Sequence, residues 1–332
     1  MPKPTFQQIA LRAGVGTATV ERVLNGRGGV RPETAKRVIA AARALDWPGR
    51  LPEAHRGLLR IEVILVRPEA TFFSRLSQAF ERIAATLDPS VSVHRTFMEE
   101  HAPESIVARI LRPPAPRSGL IIVAPDHPSI RAALVQVQGG GLPVVQIVTR
   151  ADPRADYVGI DNYAAGRMAG LLMARMAEGR GPVVALCHSQ IYQVHRDRIR
   201  GFSDYLQAHG PAHLPFVQVL FARDEAQLAG DLVLQALRRW PDLAGIYNSG
   251  GANGAVAAVL RAQAARPFYI GHELTERSAC ALRQGIMSVV LDQVPEAQAR
   301  RAMDLMLARL GLLPGPVANP PIRFVTITPE NI

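Results

Sequence analysis

The sequence predicts an α/β protein with an all-helical head: three short helices built as a helix-turn-helix, then a two-lobed body of parallel sheets covered by helices. Two observations carry this. From residue 60 onward, short β-rich apolar runs alternate with helical segments, and strands apolar on both faces that alternate with helices belong to parallel sheets covered on each side. Over residues 5–45, apolar residues recur instead at helical spacing around a tight glycine turn. A chain of 332 residues exceeds the length of about 100–200 residues usual for one domain. The expected boundaries are 1–48 for the head, 49–59 for a linker and 60–332 for the body.

In the head, Thr5 is the expected N-cap of a first helix, "FQQIALRA", with Phe6, Ile9, Ala10 and Ala13 on one face. Gly14 can take φ > 0 and close that helix, and Val15 plugs the turn. A second helix starts at Gly16 or Thr17, with Ala18, Val20, Val23 and Leu24 apolar. After Asn25-Gly26 and the loop "RGGVR", Pro32 opens a third helix, "PETAKRVIAAARAL", whose inner face is Ala35, Val38, Ile39, Ala42 and Leu45.

Charge sets the head apart. The chain carries a net +10. Residues 1–60 hold eleven Lys or Arg against four Asp or Glu, and the remainder is close to neutral. A small basic bundle on a nearly neutral body suits a polyanion. In such a bundle the start of the second helix faces the DNA major groove. Thr17 and Ala18 are therefore the candidates to face base edges, and Arg22, one turn on, to make a bidentate contact to guanine. Thr19, Asn25, Arg27 and Arg31 are placed near phosphates, and Thr5 completes the DNA-facing set. In the linker "DWPGRLPEAHRGLLR", Leu51 is the candidate wedge into a minor groove.

The body strands are expected at "RIEVILV", "SGLIIVA", "LPVVQIV", "YVGID", "PVVALCH", "FVQVLF", "LAGIYN", "PFYIG" and "MSVVL". The helices are expected at 73–87, 102–112, 128–138, 162–178, 197–209, 224–239, 252–264, 276–284 and 296–310. These are too many strands for one comfortable sheet, so two lobes are expected, with a small ligand in the cleft at the strands' carboxyl ends. The polar and aromatic residues at those ends form the candidate ligand set: Phe72, Phe73, Asp126, Arg150, Asp161, Asn162, Arg196, Asn248, Asn253, Glu273 and Gln293. Rings that pack on C–H faces and planar groups that take paired hydroxyls suit a polyhydroxylated ligand. Asp161-Asn162 equally fits a plain helix cap. Cys187 and Cys280 are expected as reduced core residues, with no metal spacing around them.

The stretch "TFQQIALRAGVGTATVERVLNGRGGVRPETAKRVIAAARALDW" resembles the DNA-binding module of the lactose-repressor/galactose-repressor family. Its signature here is Ala13-Gly14-Val15, Ala18-Thr19-Val20, Arg22-Val23-Leu24-Asn25, Val30 and Glu33-Thr34. Gly16 stands where the family usually has a phosphate-touching Ser, and Glu21 where a small polar residue is usual. Residues 60–315 resemble the periplasmic-binding-protein-like, ribose-binder type of sensor of that family through "FFSRLSQAF", "DNYAAGRMAG", "HRDRIRGF", "GIYNSGGANG", "IGHEL" and "DQVPEAQARRA". The resemblance implies that Phe72 and Phe73 stack on the ligand, that Arg150 and Arg196 donate to it, and that Glu273 and Gln293 touch it. Thr149 and Glu273 both replace Asp of the ribose binders. The ligand implied is thus a sugar, sugar alcohol or related polar metabolite rather than ribose itself. The partners implied are a palindromic operator DNA, bound as a homodimer, and that effector; no cofactor and no membrane partner is expected.

Two other classes fit less well. His272-Glu273 begins like a zinc-protease motif, but Glu276 occupies the place of the second His. No Gly-x-Ser-x-Gly elbow is present, so no catalytic residue is nominated. A transport receptor would share the body but not the basic head. The N-terminal "MPKPTFQQIALRAG" lacks the apolar core of a secretory signal, and the expected location is the cytoplasm.

Overall fold

The computed structural model describes residues 4–25, 27, 29–48, 58–188, 192–223, 225–313 and 315–332, without the side chains of Pro32, Lys36 and Arg43. Two compact units are present: residues 1–60 with Leu87–Ser92, and the rest of the chain.

The first unit contains helices α1 (Phe6–Ala13), α2 (Thr17–Leu24) and α3 (Pro32–Ala44). Thr5 caps α1 in a capping box, its side chain accepting from the Gln8 amide. Gly14 ends it at φ 63°, a left-handed conformation that costs glycine nothing. The two devices place α2 one tight turn after α1. Ile9, Val20 and Val38, one from each helix, are fully buried, each stabilising the bundle by about 1.5–3 kcal/mol. The rings of Phe6 and Trp47 stand 5.3 Å apart against this core.

The second unit holds two sheets. The first comprises β1 (Leu59–Val66), β2 (Val91–Met98), β3 (Gly119–Ile122), β4 (Val144–Ile147) and β5 (Asp156–Val158), in the order β2-β1-β3-β4-β5. Helices α4 (Thr71–Ala84), α5 (Pro103–Leu111) and α6 (Pro128–Gly139) connect these strands. The second comprises β6 (Val183–Cys187), β7 (Phe216–Phe221), β8 (Gly245–Asn248), β9 (Phe268–His272), β10 (Val289–Asp292) and β11 (Val325–Ile327), in the order β11-β10-β9-β8-β6-β7. Its helices are α7 (Asn162–Met176), α8 (Gln193–His209), α9 (Ala226–Arg239), α10 (Asn253–Ala262) and α11 (Glu276–Arg283). The registered pairs are parallel, save that β11 runs antiparallel to β10.

The chain crosses between the lobes three times. It leaves the first after β5. It returns after β10 as α12 (Pro295–Arg309), which packs on α4 and on β3, β4 and β5. It crosses back to β11 through a segment that bridges Ile322 to Ile160.

Four expectations change. β2 and β11 went unread, because "VSVHRTFM" is half polar and lies at a sheet edge, and β11 has only three residues. α8 begins at Gln193, one turn before the expected 197. Cys280 is exposed on α11 rather than in the core, whereas Cys187 is buried.

Candidate functional site

The head presents one polar face. Thr17, Ala18 and Arg22 are exposed along α2, and Thr19 is half-buried. Gly16 caps α2 without a side-chain bond, so the helix start keeps open amide donors on the side where an anion is favoured. Asn25, Arg27 and Arg31 are exposed beyond it. Arg27 stands 3.8 Å from Glu21, so the unusual acid of α2 has its own counter-charge from the loop. Thr5 is spent on its cap. Leu51 lies outside the described residues, as does most of the expected linker.

In the body, the carboxyl ends of β1, β3, β4, β8, β9 and β10 converge on a cavity of about 490 Å³, a size suited to a small ligand. Phe72 and Phe73 open α4 and line it, their rings 5.2 Å apart at 81°. Val123 and Val148 add apolar wall from the same lobe. Tyr192, His195, Arg198, Asn253, Glu273 and Gln293 line it from the other. Four lining residues that are not glycine take φ > 0: Arg67 at 50°, Val148 at 70°, Ala252 at 59° and Glu273 at 71°. Such conformations cost about 1–3 kcal/mol each and concentrate where a site over-determines the backbone. For the β-branched Val148 the strain is greatest, and the Tyr157 hydroxyl donates to its carbonyl at 2.9 Å.

Arg198 is the buried cation of the cavity lining, 2% exposed. Its Nε donates to Asn162 Oδ1 and its Nη1 to the Ser249 carbonyl, both at 2.8 Å. Two glycines make this placement possible. A Cβ on Gly166 of α7 would overlap the Arg198 carbonyl, and one on Gly201 of α8 would overlap the Tyr163 carbonyl. The two helices therefore approach backbone to backbone, and Arg198 reaches Asn162 across the contact. Burial pulls the Arg198 pKa down. Burial likewise holds His272 well below the usual histidine range, assisted by the Arg198 charge.

Glu273 is buried, receives a hydrogen bond from Gln293 on Oε1 and leaves Oε2 unpartnered. Burial first, then repulsion from Asp292, pushes its carboxyl up to about 7. An acid so placed both donates and accepts near neutrality.

Of the ligand candidates read from the sequence, Phe72, Phe73, Asn253, Glu273 and Gln293 meet at the cavity. Asn162 and Asn248 lie behind it. Asn162 holds Arg198, and Asn248 donates to Asn253 at 2.8 Å and pairs with His188. The remaining four do not line it either. Asp161 is the N-cap of α7, accepting from the Ala164 amide at 2.8 Å. Arg150 is exposed, bonds the Pro153 carbonyl and lies over the Tyr157 ring. Asp126 bonds Arg131 at 2.8 Å and stands 3.6 Å from Arg196, which is half exposed.

On α8, Arg198 and not Arg196 lines the cavity. Two residues along a helix turn a side chain through about 200°, so the two arginines face opposite sides. The signal lay in the helical stripe Val194, Arg198, Gly201, Phe202, where a lone arginine interrupts buried positions. Arg67, Glu69, Tyr192, His195, Thr275 and Arg277 also line the cavity unread, several of them in loops without a periodic pattern.

No helix among the described residues is long and apolar enough to cross a membrane. Residues 5–48 match the model of bacterial regulatory proteins of the lacI family, and residues 61–311 that of the periplasmic binding protein domain. A relative is the HTH-type transcriptional regulator GntR of Pseudomonas aeruginosa, 27% identical over 270 residues, or 78% of this chain and 75% of that protein. Another is the HTH-type transcriptional regulator reg1 of Streptomyces lividans, 32% identical over 178 residues, 48% of this chain and 47% of that one. In fold, the chain is similar to a solute-binding protein of Burkholderia graminis solved with D-arabinose, at TM-score 0.74 and 18% identity over 83% of this chain and 96% of that one. It is also similar to the arabinose-binding protein AraP of Geobacillus stearothermophilus, at TM-score 0.68 and 19% identity over 82% and 97%. The open helix start on a basic bundle and the ligand-sized cavity at converging strand ends agree with both matches: the chain belongs to the lacI family of bacterial regulatory proteins and is a DNA-binding transcriptional regulator with a periplasmic-binding-protein domain.

Proposed function

We propose that this regulator is a cytoplasmic repressor that binds a palindromic operator as a homodimer, and that a sugar, sugar alcohol or related polar metabolite in the body cavity governs that binding. The observation that carries the effector reading is the cavity itself, with a buried guanidinium, a buried carboxyl and two phenyl rings gathered from strand ends of two sheets. The D-arabinose bound by the Burkholderia graminis protein of the same fold supports a polyhydroxylated ligand. Two heads on a two-fold axis suit two half-sites. An effector that binds the DNA-competent and DNA-free populations unequally shifts one toward the other. A thermal-shift screen of sugars, polyols and related metabolites, followed by operator titration with each hit, tests this. The expected result is a hit that raises the melting temperature and changes operator affinity. Hits that stabilise the protein while operator affinity stays constant would sink the proposal.

A further inference from the structure

We propose that the effector is a polyhydroxylated carboxylate whose carboxylate sits on the guanidinium of Arg198, a refinement that rests on the reading of this cavity as the effector site.

The argument starts from an unbalanced charge. Arg198 is the one buried cation among the described residues that line the cavity. Both of its protein partners, Asn162 Oδ1 and the Ser249 carbonyl, are neutral. Its Nη2 donates to no described residue. By contrast, the exposed Arg196 nearby has Asp126, and the half-buried Arg67 has Glu100 at 3.7 Å. A buried cation without a counter-charge is costly, and the cost falls most when an anion hydrogen-bonds to it directly.

The protein does not supply that anion in full. The acid that acts electrostatically on Arg198 is Glu273. It is committed to Gln293 through one oxygen, and burial beside Asp292 leaves it only partly ionised at neutrality. A ligand carboxylate fills this gap with a charge-assisted bond to Nη2.

The remainder of the ligand is hydroxylated. Glu273 Oε2 is buried and unpartnered, and it accepts from a hydroxyl when ionised and donates to one when protonated. Phe72 and Phe73 add apolar wall to the same cavity, which suits the C–H groups of such a ligand. Among the described residues, Nη2 is the one guanidinium nitrogen of this buried cation without an acceptor, which matches a monoanion.

The experiment is calorimetric titration of the full-length protein with aldonic acids of four to six carbons, each beside the alditol and aldose of the same configuration and the aldose phosphate ester. The expected result is that at least one aldonate binds and that its alditol and aldose bind at least about a hundredfold more weakly. Arg198→Gln is expected to erase that preference. The pairwise comparison on the unaltered protein stands whether or not the variant folds. A neutral polyol or aldose binding as tightly as its acid would overturn the carboxylate and leave the effector site in place. A phosphate ester that binds more tightly than the aldonate would overturn it too. Binding by none of these compounds, with operator binding intact, would overturn both the carboxylate and the effector-site reading.

Discussion

The Tyr192 hydroxyl donates a 2.7 Å hydrogen bond to Glu100 Oε2 across 92 residues of sequence. Tyr192 precedes α8 in the lobe of the second sheet, and Glu100 follows β2 in the lobe of the first. Glu100 is buried and also stands 3.7 Å from Arg67. The weaker Arg196–Asp126 pair, 3.6 Å apart, spans the same two lobes. Together these contacts tie the lobes together beside the cavity, which Tyr192 and Arg67 both line.

Tyr192→Phe keeps the ring and removes that tie. A hydrogen bond to a carboxylate contributes about 1.5–3 kcal/mol, so effector affinity should fall about tenfold or more if that bond holds the lobes together around the ligand. Calorimetric titration of the effector reads this. Unchanged affinity would mean that the bond does not favour the form that holds ligand.

Arg196→Ala and Arg198→Gln should separate cleanly. Arg196 is half exposed and its pair with Asp126 is long, so its loss should cost about 0–1 kcal/mol. Arg198→Gln should lower effector affinity by about ten- to hundredfold, the value of a charge-assisted bond. Operator binding without effector should stay intact in both variants. Equal effects of the two substitutions on effector affinity would remove Arg198 from the site.

Glu273 predicts a pH dependence of stability. Its carboxyl titrates near 4.5 in the unfolded chain and at about 7 in the native protein. The native state therefore holds the proton more tightly, and this group subtracts stability as pH rises from about 4.5, reaching its full penalty above about 7. At about 1.4 kcal/mol per pH unit the penalty is on the order of 3 kcal/mol. Glu273→Gln removes the titration, so the ligand-free variant should gain melting temperature over the parent at about pH 8 and not at about pH 4.5. Thermal melts of both proteins across that range decide it, and parallel curves would contradict the assignment.

Gly201→Ala should be severely destabilising, by about 3 kcal/mol or more, because its Cβ meets the Tyr163 backbone carbonyl rather than a movable side chain. Gly251, for which no atom lies near an added Cβ, serves as the control. Denaturant unfolding measures both. A mild loss at Gly201 would show that α7 and α8 can separate.

In the head, Arg22→Ala should cost about 1–3 kcal/mol at one base pair and relax specificity there. Arg27→Ala should weaken all duplexes alike, and should do so modestly because Arg27 is shared with Glu21. Titration of operator and random duplexes at several salt concentrations distinguishes the two. Equal losses on both duplexes for Arg22→Ala would place that side chain on the backbone instead of a base.

The sequence by itself determined what depends on neighbours along the chain. The helix-turn-helix was legible because Thr5, Gly14 and the apolar stripe of α2 act within a turn or two of themselves. The α/β alternation was legible because a strand buried on both faces must be apolar throughout, as Val63–Val66 and Val183–Cys187 are. Strand ends could therefore be read as a cleft, and Phe72, Phe73, Asn253, Glu273 and Gln293 were found there.

Which polar group faces the cavity was decided by contacts between segments far apart in the chain. Asp161 and Asn248 stand at strand ends as Glu273 does, yet one caps a helix and the other bonds its neighbours. Arg198 rather than Arg196 enters the site because α8 starts a turn early and because Gly166 and Gly201 let two helices touch. The strained backbone of Val148 and Glu273 carries no periodic mark in the sequence, since a positive φ there is imposed by the packing around it. Periodicity records which face of an element leaves water; only the packed lobes determine which buried polar group still lacks a partner.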